Sequence, residues 1–176
     1  MAGNHDDRAE LRSHLLGAQP SYAPFDHVRR LGGLRIVVLD TSVPGEAHGE
    51  LEPAQLAWLR AELSQPAPAG TVLALHHPPL PSPFGYVRAM ELRHREALTS
   101  VIAGTDVRIV LAGHTHMVSA GAVAGVPVWT GGAAPFLLDP LPPAGSHRAL
   151  HRPTISRVDL FPDGVLATAI PLDAGS

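Results

Sequence analysis

The sequence predicts an α/β domain with helices layered on a sheet, and three observations carry that prediction. Three short apolar runs, LRIVVLD (34–40), TVLAL (71–75) and VRIVLA (107–112), read as strands buried on both faces. Segments with helical punctuation alternate with them. Further along, shorter alternating stretches and a turn-bounded pair read as antiparallel β, so the chain passes from strand–helix–strand units to hairpins.

Taken in order, DDRAELRSHLLG (6–17) reads as a helix. Asp6 or Asp7 sits in its first turn, Leu11, Leu15 and Leu16 form an apolar stripe, and Gly17 closes it. Strand candidates at 25–31 and 34–40 flank Gly32-Gly33. Glu52-Pro53 opens a helix that runs to about Leu63, with Leu56, Leu59 and Leu63 facing inward and Pro66 ending it. TVLAL runs directly into His76-His77-Pro78-Pro79, and a proline-rich loop over 78–83 leads to a helix between Val87 and Ala103. VRIVLA runs directly into Gly113-His114-Thr115-His116. Segments near 118–124 and 126–130 suggest antiparallel β, and a Gly/Pro-rich loop spans 131–153. TISRVDL and VLATAI around Pro162–Gly164 give a hairpin signal. With no internal repeat and no dividing linker, residues 1–176 read as one domain.

Composition narrows the function classes. The 13 basic residues are all Arg and are spread along a chain of net charge −3, which argues against nucleic-acid binding. The absence of cysteine excludes disulfides, thiolate metal sites and thiol nucleophiles. No apolar run approaches the ~20 residues of a membrane span, and the amino terminus lacks a signal-peptide pattern. The default compartment is the cytoplasm. A Ser-His-Asp hydrolase lacks its G-x-S-x-G elbow.

The 11 histidines matter through their placement. On extended backbone His114 and His116 would point to the same side and could address one ion or two adjacent ones. Gly113 would let the chain turn sharply after its strand. A polar loop with two exposed histidines is an equal alternative. His76 and His77 would point to opposite sides, so at most one would be a ligand, and taken alone the pair reads as structural. Gly3-Asn4-His5-Asp6 offers an amide oxygen for a cation and an imidazole for a phosphate, although taken alone it reads as a helix cap. Three such clusters in one chain, two of them at the exits of buried strands, point to a site at the carboxyl ends of the sheet.

The order GNHD, HHPP, GHTH resembles the last three of five sequence blocks of the calcineurin-like metallophosphoesterases. The stretches GLRIVVLDTSVPGEAHGELEPAQLAWL, TVLALHHPP and GTDVRIVLAGHTH resemble the actinobacterial class III 3′,5′-cyclic nucleotide phosphodiesterases in particular. The resemblance runs from Gly3 into the final hairpin and is weakest over 131–153. It implies part of a four-layer α/β/β/α sandwich and a centre of two divalent transition metals (Mn, Fe or Zn). Asn4, His76 and His114 would hold one metal, and His116 would hold the other. Asn4 and His5 would bind substrate, with His5 contacting the phosphate and assisting departure of the leaving alkoxide. The implied reaction is attack of a metal-held hydroxide on a small phosphodiester such as cyclic AMP, and a homodimer is in keeping with the resemblance. His77 falls outside the ligand set. His14, His27, His48, His94, His147 and His151 match no block and read as surface residues. Asp40 reads as ordering its loop, or less favourably as supporting a ligand.

The pattern's first two blocks, an Asp-x-His and a Gly-Asp whose carboxylate bridges the metals, have no counterpart among these residues. The expectation is therefore an incomplete domain without the N-terminal strands of the sandwich. One metal site would be partial, the other nearly absent, and hydrolysis weak. The alternative is a noncatalytic fragment that binds a metal or a partner.

Overall fold

The computed structural model describes residues 1–143 and 145–172. Its centre is a six-stranded sheet in the order β1-β2-β3-β4-β6-β5, formed by β1 (His27–Leu31), β2 (Leu34–Val38), β3 (Thr71–Ala74), β4 (Val107–Ala112), β5 (Ser119–Val123) and β6 (Val126–Thr130). Strands β2, β3, β4 and β6 run parallel, while β1 and β5 pair antiparallel at the two edges. The helices α2 (Pro53–Glu62) and α3 (Arg95–Ile102) make the two crossovers β2–β3 and β3–β4, and they pack on each other. A parallel pair needs such a crossover, and one face of the sheet is thereby covered.

Burial explains why the three apolar runs became central strands. Val37 and Leu39, Leu73 and Leu75, and Val110 join Leu59 and Leu63 of α2 and Leu98, Val101 and Ile102 of α3 in one core. Residues of opposite parity, Val38, Val72 and Ile109, are buried as well. Pro53 opens α2 at the one position where its missing N–H costs nothing, and the Gln55 side chain accepts from the Glu52 backbone N–H at 2.9 Å. Edge strand β5, by contrast, is mostly exposed.

Several expectations change. The first helix is short: α1 (Arg8–Glu10), capped by Asp7 accepting from the N–H groups of Ala9 and Glu10, passes into a π-helical turn, Leu11–Leu15. Leu15 and Leu16 are exposed, so the predicted inward stripe does not form. The Ser13 hydroxyl donates to the Ala9 carbonyl at 3.0 Å, competing with the helical ladder. The helix expected between Val87 and Ala103 does form, as Arg95–Ile102, preceded by a 3-10 turn at Arg88–Met90. Within 131–153 two short strands, β7 (Leu137–Leu138) and β8 (Ala149–Leu150), pair with each other. The final hairpin, β9 (Thr154–Phe161) and β10 (Gly164–Pro171), forms as read. Trp129 fastens it to the sheet, its indole N–H donating to Ser156 Oγ at 2.9 Å, as does Arg108, which donates to the Gly164 carbonyl at 2.8 Å.

At the end of the sheet remote from the histidines, Arg35 is a buried cation. It donates to Asp106 at 2.8 Å, to Thr71 Oγ1 at 2.8 Å and to the carbonyls of Glu62 and Gln65, joining β2, β3, α2 and the approach to β4. Removing one partner of such a pair strands the other charge, at a cost of about 3–5 kcal/mol. Asp106→Ala is therefore expected to lower the unfolding free energy by about that amount in urea titration, whereas a loss of a few tenths would show that Arg35 is satisfied without its carboxylate.

Candidate metal centre

The centre is built where β3 and β4 end. β3 delivers His76 and β4 delivers His114, and the amino-terminal loop swings Asn4 against them. That loop is closed by Asp6, whose carboxylate accepts from the Gly3 N–H at 2.8 Å while its own N–H donates to the Gly3 carbonyl at 3.1 Å. Only glycine fits at position 3, since a Cβ there would lie 2.9 Å from His76 Cε1.

A buried cation pins this loop to the sheet. Arg8 Nε lies 2.9 Å from Asp40 Oδ2 and donates to Ser42 Oγ at 3.1 Å, and the guanidinium also donates to the carbonyls of Tyr22 and Ser42. Asp40 in turn accepts from the N–H groups of Phe25 and Ser42, so it orders its own loop while its contact with Arg8 also supports the loop that carries Asn4. Nearby, burial raises the Asp26 carboxyl above its usual range. The sequence reading missed Arg8, because a buried arginine two residues beyond a motif carries no pattern of its own.

Three electron-pair donors converge. Asn4 Oδ1 lies 2.9 Å from His76 Nε2 and 3.2 Å from His114 Nδ1, and the two imidazole nitrogens are 3.2 Å apart. His114 Nε2 donates to the Met90 carbonyl at 2.9 Å, which leaves Nδ1 as a lone pair facing the centre. At most one proton, on His76 Nε2, is thus shared among three acceptors. Metal–ligand bonds of about 2.0–2.2 Å place neighbouring donor atoms about 2.8–3.1 Å apart at right angles and about 3.3–3.6 Å apart in a tetrahedron, so the triangle is of a size that closes on a divalent cation with small shifts. Burial and then the charge of His114 push His76 down to about 4, and burial lowers His114 as well. Both are neutral at pH 7, the form that ligates.

His77 also falls within this group, with ligand atoms of His76, His77 and His114 inside 4.8 Å of one another. Its nitrogens are nevertheless spoken for. Nε2 donates to the Ala47 carbonyl at 3.2 Å, and Nδ1 accepts from Thr41 Oγ1 at 2.8 Å, which itself accepts from the His77 N–H. Fully buried and pushed down to about 3, first by that burial, His77 braces the 41–49 loop. His48 is drawn in with the loop and is buried, contrary to its surface reading, lying 3.5 Å from Glu46.

His114 and His116 do not lie on extended backbone. Their φ values are 68° and 53°, in the left-handed region, and Gly113 is not the residue that turns. Each non-glycine residue held there costs about 1–2 kcal/mol, a strain typical of functional loops. The turn separates the two rings: His114 joins Asn4 and His76, while His116 lies against Phe136, ring centroids 4.5 Å apart, with a buried Nδ1 that has no partner. That orphan nitrogen is a further ligand-type donor near the centre among the described residues. His5 is exposed on the loop, and its charge contributes to lowering His76 and His114.

Strand ends that bring two neutral histidines to a loop-borne asparagine define an open α/β domain with a candidate metal centre at its carboxyl edge. The chain belongs to the calcineurin-like phosphoesterase family, whose model matches residues 1–118. It is 49% identical over 176 residues to the cAMP/cGMP dual specificity phosphodiesterase of Mycobacterium tuberculosis, covering 99% of this chain and 55% of that protein. It is 35% identical over 117 residues to the 3′,5′-cyclic adenosine monophosphate phosphodiesterase CpdA of Escherichia coli K12, covering 66% and 42%. The chain thus spans about half the length of these relatives. Two solved structures share the fold: GAP50, the anchor in the inner membrane complex of Plasmodium (TM-score 0.56, 11% identity, 90% of this chain and 53% of that one), and a purple acid phosphatase from yellow lupin (TM-score 0.53, 16% identity, 79% and 29%). Among the described residues no helix is long and apolar enough to cross a membrane.

Because His76 and His77 titrate in the folded state near 4 and 3 rather than at the ordinary 6.5, the unfolded chain takes up protons first as the pH falls. Their contribution to stability is complete above pH 6.5 and is lost progressively toward pH 4 and below. The melting temperature should fall over this window, and less steeply in His77→Gln. Parallel pH profiles of the two proteins would assign the acid sensitivity elsewhere.

Proposed function

We propose that this chain carries the ligand set for one metal of a phosphodiester hydrolase whose substrates are 3′,5′-cyclic nucleotides, cyclic AMP among them. The single observation that supports this most is the triangle of Asn4 Oδ1, His76 Nε2 and His114 Nδ1, three acceptors facing one point with at most one proton between them. A Mn²⁺, Fe²⁺ or Zn²⁺ ion held there would polarise a phosphoryl oxygen and offset charge developing on phosphorus. Three neutral ligands leave the cation its full charge for that purpose. Met90 fixes the His114 tautomer through its carbonyl, so the ring keeps its lone pair on the centre. His116, with its unpaired Nδ1, is assigned to a second ion.

His5 is assigned to substrate rather than to metal. It follows Asn4 on the same loop and is exposed, so its imidazole is free to hold a proton for the leaving O3′ while Asn4 keeps its place in the triangle. The names of the relatives support the cyclic nucleotide as substrate, and a cytoplasmic homodimer is part of the same proposal.

Calorimetric titration with Mn²⁺ and assay of cyclic AMP hydrolysis test these assignments together. The chain should bind about one equivalent weakly, with low turnover. His114→Ala should lose both binding and turnover; His5→Ala should keep the metal and lower turnover by about 10²–10⁴-fold. Equal loss of metal in the two variants would show that His5 is a ligand and that the roles are misassigned.

A further inference from the structure

A cavity of about 290 Å³ opens beside the centre, with His114 in its wall. Its other walls are Leu80 and Val87 from the proline-rich loop region, Met117, and Ala120 and Gly121 of edge strand β5. Thr115, Ser119 and Thr130 line it among these apolar groups. The one carboxylate that lines it, Glu91, is already engaged: Oε1 accepts from the Ser82 N–H at 2.6 Å and Oε2 from Arg95 at 2.8 Å. Among the described residues that line the cavity none presents a free charge, so they suit neither a phosphate nor a metal ion. Its chemistry is that of a site for a neutral, flat group with a few hydrogen-bonding edges.

We propose that this cavity is the subsite for the nucleobase of the substrate, an inference that rests on the phosphodiesterase reading above. His114 turns Nδ1 to the phosphate-binding face and also bounds the cavity, so a phosphoryl group and a base would sit on two sides of one residue, with a ribose to span them. Leu80, Val87 and Met117 would pack on the faces of the base, and the hydroxyls would meet its edge. The prolines at 78, 79, 81 and 83 hold the Leu80 wall at small conformational cost.

Two variants alter the cavity without touching a metal ligand. Ser119→Trp, at an exposed position of the edge strand on the same face as Gly121, fills it. Gly121→Ala places a Cβ 2.8 Å from Leu80 Cδ1 and displaces that side chain. The probes are adenosine, adenosine 5′-monophosphate and ribose 5-phosphate, followed by the Met117 methyl resonance and by titration calorimetry with Zn²⁺ present. Adenosine should shift the Met117 signal, and the monophosphate should bind about tenfold or more tightly than ribose 5-phosphate. Ser119→Trp should erase that difference and leave ribose 5-phosphate unchanged, with Gly121→Ala intermediate and circular dichroism confirming that both variants fold. An unmoved Met117 signal, or equal affinities in the unmodified chain, would overturn the subsite. Failure of both phosphates to bind while adenosine still shifts Met117 would overturn the phosphodiesterase reading and leave the cavity as a base site.

Discussion

The amino-terminal loop belongs to the centre because Arg8 is buried against Asp40. The side chains are 7% and 1% exposed, their closest atoms are 2.9 Å apart, and the guanidinium has further acceptors on Ser42 and Tyr22. A charge removed from water in this way needs its partner and its remaining hydrogen bonds in place together. The cation therefore has few positions open to it, and Asn4, four residues earlier on a loop closed by Asp6, inherits that restriction. Without the pairing, the two strand-borne histidines would face each other with no amide oxygen between them.

The centre concentrates features that a fold built for stability alone would avoid. Three acceptors are aimed at one another, two histidines occupy left-handed backbone, and His116 keeps a buried nitrogen without a partner. Each is unfavourable by itself, and the converging acceptors are the feature that a cation would relieve. Rigidity comes from the surroundings. His77, Thr41 and the Ala47 carbonyl form a closed chain of hydrogen bonds behind the ligands, and Gly49 fits there because a Cβ would meet His77 Cγ at 2.5 Å. At the far end of the sheet, Arg35 and Asp106 hold the same strands in register.

Strand and helix identities were largely legible in the residues. LRIVVLD, TVLAL and VRIVLA lie in the parallel sheet because residues of both parities are buried. Pro53 and Pro66 bracketed α2 to within a few residues. Less legible were segments decided by competition with distant groups. Leu15 and Leu16 have helical spacing, yet the chain there enters a π turn and leaves both exposed. His48 has no apolar pattern around it, and it is buried because the loop it occupies folds over His77.

The sequence by itself determined which chemistry the chain could offer. Candidate imidazole ligands follow buried strands and a candidate amide ligand lies in the first loop, without cysteine and without a run of basic residues, because side-chain type and the alternation of apolar residues are written locally. Tertiary structure decided which of those groups meet. His77, adjacent to the candidate ligand His76, is turned to bracing by Thr41 and Ala47. His114 and His116 are parted by left-handed backbone, although extended spacing would have aligned them. Arg8 reaches Asp40 across 32 residues of chain. Such choices depend on distances between remote segments and on which lone pairs remain unspent after folding, and no local pattern of residues contains either.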